Sequence, residues 1–201
     1  MIEKLRNKIS KYFKHESHGF DHTERVYNTA VKIAKKEKAD REIVQAAALL
    51  HDIGRSREYE NKQLCHAEES AKIAPKILRS IKFPKQKIPA VIHCILVHRY
   101  SKGLKPETLE AKIIQDADRL DSLGTLAIAR TFTRGGEKNR QLYDPTDKQS
   151  QKTSIGHFYQ KILKLKPETF KTKYAQQIAK NRYKYTKEFV QRFEKEWRGE
   201  Q

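Results

Sequence analysis

The chain has 201 residues, which suits one compact domain and leaves little room for a second. Lys+Arg 43 against Asp+Glu 25 gives a formal net charge of +18, so the surface gathers anions, although charge alone does not separate nucleotides from nucleic acid or an anionic membrane. No stretch approaches the ~18 uninterrupted apolar residues of a membrane span and no apolar leader follows Met1-Ile2-Glu3-Lys4-Leu5-Arg6, so no membrane partner and a cytoplasmic protein are expected.

From Asp21, the residues Val26, Ala30, Ile33 and Ala34 recur at helical spacing, and charged residues cover the other face as far as Lys38. Asp40 is placed to cap a second helix in which Ile43, Ala46, Ala47, Leu49 and Leu50 are apolar almost all round; such a helix is buried and central, and Gly54 is expected to close it. His66 to Ile81 reads as a third helix, kinked or bounded at Pro75. A fourth follows Pro84 towards Tyr100, and Pro106-Glu107 is expected to open a fifth that carries Leu109, Ile113, Ile114, Ala117 and Leu120. Residues 134–154, with Gly135-Gly136 and Asp144-Pro145, are expected to form a flexible flap. Helices over Ile155 to Leu165 and Glu168 to Trp197 complete the chain. No strand alternation and no repeat are present, so the expected fold is all-α, a single helical bundle over residues 1–201. Cys65 and Cys94 have no C-x-x-C spacing and are expected to be reduced.

Ionisable residues interrupt this apolar pattern at His22, at His51-Asp52 and within Gln115-Asp116-Ala117-Asp118-Arg119-Leu120-Asp121. A lone histidine is more often structural than a ligand. The doublet is harder to explain that way, because it ends the most apolar helix of the chain. Burying an unpaired Asp is costly, and a metal ion offsets the cost while the adjacent imidazole takes a second coordination position.

His22, then Leu49-Leu50-His51-Asp52-Ile53-Gly54, then Asp116-Ala117-Asp118-Arg119-Leu120 resembles the H…HD…D signature of the HD-domain phosphohydrolase superfamily, a helical-bundle family. Asp21-His22-Thr23-Glu24-Arg25-Val26, Ile128 to Phe132 and Gly156 to Lys161 are similar to its bacterial YpgQ/YedJ-type branch, so the resemblance spans most of the chain.

The resemblance implies His22, His51, Asp52 and one acid of residues 116–121 as ligands of a single divalent ion. In the superfamily the acid follows the alanine of an Ala-Asp-x-Leu pattern, which is Asp118 here. Asp116 points to a different side of the helix and is the competing choice, with Asp121 expected as a substrate contact. A mixed nitrogen and oxygen set suits Mn²⁺ first, then Fe²⁺, Co²⁺ or Zn²⁺, and is less typical of Mg²⁺.

Asp52 is expected to bridge the ion and the attacking water, and His66 and His98, each at the end of an element, are expected to bind phosphate or donate a proton, with ligation of a second metal, which some members of the superfamily use, as the less favoured role. His93 is expected to be structural. Arg25, Arg55 and Lys161 are expected to contact phosphate; Arg119 and Arg130 are weaker choices because either suits a salt bridge. The expected activity is hydrolysis of nucleoside or deoxynucleoside triphosphates, with pyrophosphate release favoured. The competing readings are a phosphodiesterase acting on nucleic-acid ends, with nucleic acid as a partner, and a non-catalytic nucleotide-binding module.

Overall fold

The computed structural model describes residues 1–13 and 19–200, and among them are ten α-helices and no β-strand. The helices fall into two compact units, Met1–Asp118 and Arg119–Gln201.

The first unit holds α1 (Ile2–Ile9), α2 (Phe20–Glu37), α3 (Arg41–Leu50), α4 (Arg55–Glu60), α5 (His66–Ser80) and α6 (Ile88–Val97); α7 (Leu109–Leu120) carries the chain past its end. Val44 and Ala46 to Leu50 of α3 are fully buried, and this helix packs against α1, α2 and α6. It is therefore the central helix that its all-round apolar sequence predicts. Burying Leu49 and Leu50 stabilises the unit by about 1.5–3 kcal/mol each. The Asp40 carboxylate caps α3, accepting from Glu42 N at 3.0 Å and Ile43 N at 3.3 Å.

Four details of this unit depart from the sequence reading. The short helices α1 and α4 are not expected from the sequence; in α1, Leu5 and Ile9 are four apart, and both are fully buried. α5 runs without interruption through Pro75, because burial of Ala67, Ala71, Ala74 and Leu78 outweighs one missing backbone hydrogen bond. α7 starts at Leu109 rather than at Pro106; the Thr108 hydroxyl accepts from Ala111 N at 3.2 Å and sets the start. Gly54 follows α3 with an ordinary negative φ of −87°, so it is not a left-handed cap. Its role is closeness: a Cβ there would lie 2.6 Å from both His66 O and Ser70 N of α5. Gly54 N donates to Ser70 Oγ at 2.9 Å across the contact.

The second unit holds α8 (Thr125–Glu137), α9 (Ser154–Gln160) and α10 (Lys173–Trp197). Arg134 to Glu137 continue α8, so the irregular stretch is 138–153, shorter than expected. This stretch is tied at both ends, with Ser154 N donating to Gln141 O at 2.9 Å and Ile155 N to Leu142 O at 3.0 Å. Its Tyr143 is buried edge-on to Trp197, centroids 5.5 Å apart. α9 stops short of Leu165, and a 3-10 turn over Ile162–Lys164 follows; α10 starts at Lys173, after a second such turn at Pro167–Thr169. Phe132, Phe158, Phe189 and Phe193 pack into the core of this unit with centroids about 6 Å apart.

Both cysteines are free and buried. Burial pushes the Cys94 thiol up to about 12, so it behaves as an apolar core residue. No described helix is long and apolar enough to cross a membrane.

Candidate metal centre

The polar cluster of the first unit is assembled from helix ends. His22 lies in the first turn of α2, His51 and Asp52 follow α3, His66 begins α5, His98 follows α6 and Asp118 lies in the last turn of α7. Helix termini leave backbone groups unpaired, and two of these imidazoles use them. His51 Nδ1 donates to Ala48 O at 2.7 Å and His98 Nδ1 donates to Ile95 O at 2.6 Å. The same three-residue reach fixes both rings with a bare Nε2 turned inward.

The inward atoms converge. His51 Nε2 is 3.4 Å from His22 Nε2, and His22 Nε2 is 3.2 Å from Asp118 Oδ1. Asp52 Oδ2 lies 3.6 Å from His51 Nε2 and 3.7 Å from His22 Nε2, while Asp52 Oδ1 lies 3.4 Å from His66 Nε2 and 3.7 Å from His98 Nε2. Two donor groups, His22-His51-Asp118 and His51-Asp52-His98, have all their donor atoms within 4.8 Å of one another and could each hold a metal ion. His22, His51, Asp52, His66 and His98 are all buried, whereas the Asp118 side chain is 26% exposed and forms the open side.

Tertiary contacts bring these ends to one place. α2 and α6 both pack on α3. α7 is held to the end of α6 by buried Gln115, whose Nε2 donates to Val97 O at 2.9 Å. The acid of α7 that reaches the histidines is Asp118. Asp116 is fully buried and belongs to neither donor group.

Electrostatics favour an ionised, metal-ready set. Burial pushes the His51, His98 and His66 imidazoles below the usual histidine range, towards the neutral form that ligates metals. Burial works against ionisation of Asp52, but His51, Arg55, His66 and His22 hold its carboxyl well below the usual carboxylate range.

Arg55 meets Asp52 with two bonds, Nε to Oδ2 at 2.7 Å and Nη2 to Oδ1 at 3.0 Å, so its charge is spent on that carboxylate. Arg25 is half-buried on α2, three residues beyond His22 and on its side of the helix. His93 stands apart from the cluster and accepts from Glu107 N at 3.4 Å.

In the second unit, Asp121 pairs with Arg130, and Arg119 donates to Thr169 O at 2.8 Å while stacking over Phe170 at 4.3 Å. Lys161 is exposed just beyond α9.

The sequence reading missed Glu58. Its Oε2 accepts from His66 Nδ1 at 2.8 Å and its Oε1 from Arg99 at 2.9 Å, which turns His66 Nε2 towards Asp52. The available signal was its position three residues after Arg55, on the same short helix.

A family model, the HD domain, matches residues 19–123, a span that contains His22, His51, Asp52 and Asp118. The chain belongs to the HD domain family. Its curated relatives include the uncharacterized protein YpgQ of Bacillus subtilis, 34% identical over 98% of this chain and 94% of that protein. Among solved HD structures, an HD-superfamily hydrolase from Bacillus thuringiensis is 34% identical, covers 98% of this chain and 96% of its own, and has a TM-score of 0.81. Bacillus subtilis YpgQ in complex with ADP covers 97% and 94%, with 30% identity and a TM-score of 0.76. The likeness to these HD proteins covers α8 to α10 as well as the matched family segment.

Proposed function

We propose that the chain is a metal-dependent phosphohydrolase that cleaves nucleoside or deoxynucleoside triphosphates and releases pyrophosphate. The observation that carries this reading is the pair of adjoining donor groups His22-His51-Asp118 and His51-Asp52-His98, which share His51 and set two imidazole nitrogens 3.4 Å apart. His51 Nε2 presents its lone pair to this space, and a cation there would be a partner for it, for His22 Nε2 once deprotonated, and for the Asp118 carboxylate. The donor chemistry fits Mn²⁺, Fe²⁺, Co²⁺ or Zn²⁺ better than Mg²⁺, and Mn²⁺ is the metal proposed. When bound, such an ion supplies Lewis acidity towards a phosphate oxygen and a water.

The residues of the chain divide the remaining work. Asp52, held by Arg55, keeps a negative oxygen beside the reacting centre and accepts a proton from the attacking water. His66, held by Glu58, and His98, held by Ile95 O, present Nε2 atoms to Asp52 Oδ1, and either ring, once it takes up a proton at Nε2, donates to a phosphate oxygen. Arg25 adds positive charge on the α2 side. YpgQ bound to ADP supports a nucleotide as the ligand class.

The test is a screen of nucleoside triphosphates, diphosphates and short oligonucleotides with Mn²⁺, following pyrophosphate, phosphate and triphosphate separately. Pyrophosphate from triphosphates is the expected product. Turnover confined to oligonucleotides would replace this reading with phosphodiester cleavage, and no metal-stimulated turnover would leave a binding module.

A further inference from the structure

The last turn of α7 carries Asp118, and the end of a helix frays first, because its final carbonyls have no partner within the helix. Here the chain supplies partners. Arg119 O accepts from Ser122 N at 3.0 Å and Leu120 O accepts from Leu123 N at 3.2 Å. Leu120 O also takes a second bond, from Arg182 Nη1 of α10 at 2.7 Å. Gly124, with a φ of 84°, then turns the chain away from α7. Its N donates at 2.9 Å to Oγ1 of the fully buried Thr186, one turn beyond Arg182 on α10.

Arg182 is half-buried, and its stem lies along this turn, so that a Cβ on Gly124 would come 3.3 Å from Arg182 Cγ. Its charge is directed at a carbonyl. Among the described residues it forms no ion pair, and the Asp121 carboxylate whose field it feels is bonded to Arg130. A cation suits the negative end of the α7 dipole. Removing a guanidinium from water offsets much of what one carbonyl bond returns, so the main consequence of the contact is geometric.

Asp118 stands between two anchors on the same helix. Gln115, three residues earlier and on the same side of α7, donates to Val97 O at 2.9 Å. Leu120, two residues later, is held by Arg182. With the second anchor gone, the last turn is free to unwind, and the carboxylate that lies 3.2 Å from His22 Nε2 turns away from it.

We propose that Arg182 is a positioning residue for Asp118, acting through the carbonyl end of α7, so that a side chain of α10 sets the affinity of the metal centre for its cation. The proposal rests on the metal centre argued above.

Calorimetric titration of Mn²⁺ alone into metal-stripped protein, without substrate, tests it. Arg182→Met keeps the length of the stem and drops the donors; it should bind Mn²⁺ about tenfold or more weakly, with unchanged far-ultraviolet circular dichroism. Arg182→Lys keeps a cation but not the fork, and should fall between the two. It carries the test alone if Arg182→Met does not fold, wild-type affinity in it then counting against the proposal. Phe158→Ala, a core deletion beside neither anchor, should bind as the wild type does while folded. Equal binding by wild type and Arg182→Met would overturn the role of Arg182. So would an equal loss in Phe158→Ala, because stability rather than the bond to Leu120 would then set the affinity. A wild type that takes up no Mn²⁺ would remove the metal centre itself, a separate failure that the wild-type titration alone reveals.

Discussion

Between Met1 and Asp118 the buried ionisable groups face partners of opposite or complementary character, whereas the charges that act most strongly on His157 are all positive. Both regions depend on glycine-mediated close packing, at Gly54 in one and Gly135 in the other. The difference lies in what remains unsatisfied. The first cluster leaves inward lone pairs and carboxylate oxygens, which call for a cation. The second holds an imidazole in the neutral form, because burial and neighbouring cations both disfavour its proton.

The sharpest way to break this comparison is to remove the inward nitrogen. His51→Ala should abolish both bound metal and turnover, read by metal analysis and a product assay, and an unchanged metal content would sink the proposed centre. Asp118→Ala should behave in the same way, while Asp116→Ala should keep its metal. The reverse result would exchange the two acids.

Phe158→Ala tests whether the two regions separate energetically. It empties a fully buried aromatic position of the second unit and should cost about 3–5 kcal/mol by chemical denaturation, while the folded variant keeps its metal. Glu58→Gln keeps the size of the side chain but weakens its hold on His66 Nδ1. A loss of about 10–100-fold in metal affinity or kcat/KM is expected, and no loss in either would remove Glu58 from the supporting shell.

Gly54→Ala forces a Cβ into the backbone of α5 and should destabilise the protein by about 1–3 kcal/mol, measured by the same denaturation. The smallest effect concerns pH. The folded His157 imidazole is held near 4 against an ordinary value of 6.5, so the unfolded chain binds more protons between those values and stability falls as pH drops from 6.5 towards 4. His157→Gln should reduce that fall, seen as a smaller difference between denaturation midpoints at pH 7 and pH 5.

The elements most legible in the sequence were those whose burial is continuous. The apolar run of α3 announced a central helix, and the doublet at its end announced a charge that needed a partner. Pro106 misled because proline reports only a local cost and the Thr108 cap decided where α7 starts, and Pro75 does not end α5, whose packing carries the helix past it. The start of the 134–154 stretch misled for a related reason: Gly135 reads as a breaker, but it serves as a contact surface inside α8.

By itself the sequence determined the all-helical class and the ordered set of candidate ligands His22, His51-Asp52 and an acid near residue 118, because helical periodicity and the order of residues are properties of the chain. Only the tertiary structure decided that Asp118, rather than Asp116, reaches His22, that Arg55 is bound to Asp52, and that Glu58 steers His66. Those are questions of which side chains end up within about 3 Å of one another, and packing between helices distant in sequence answers them.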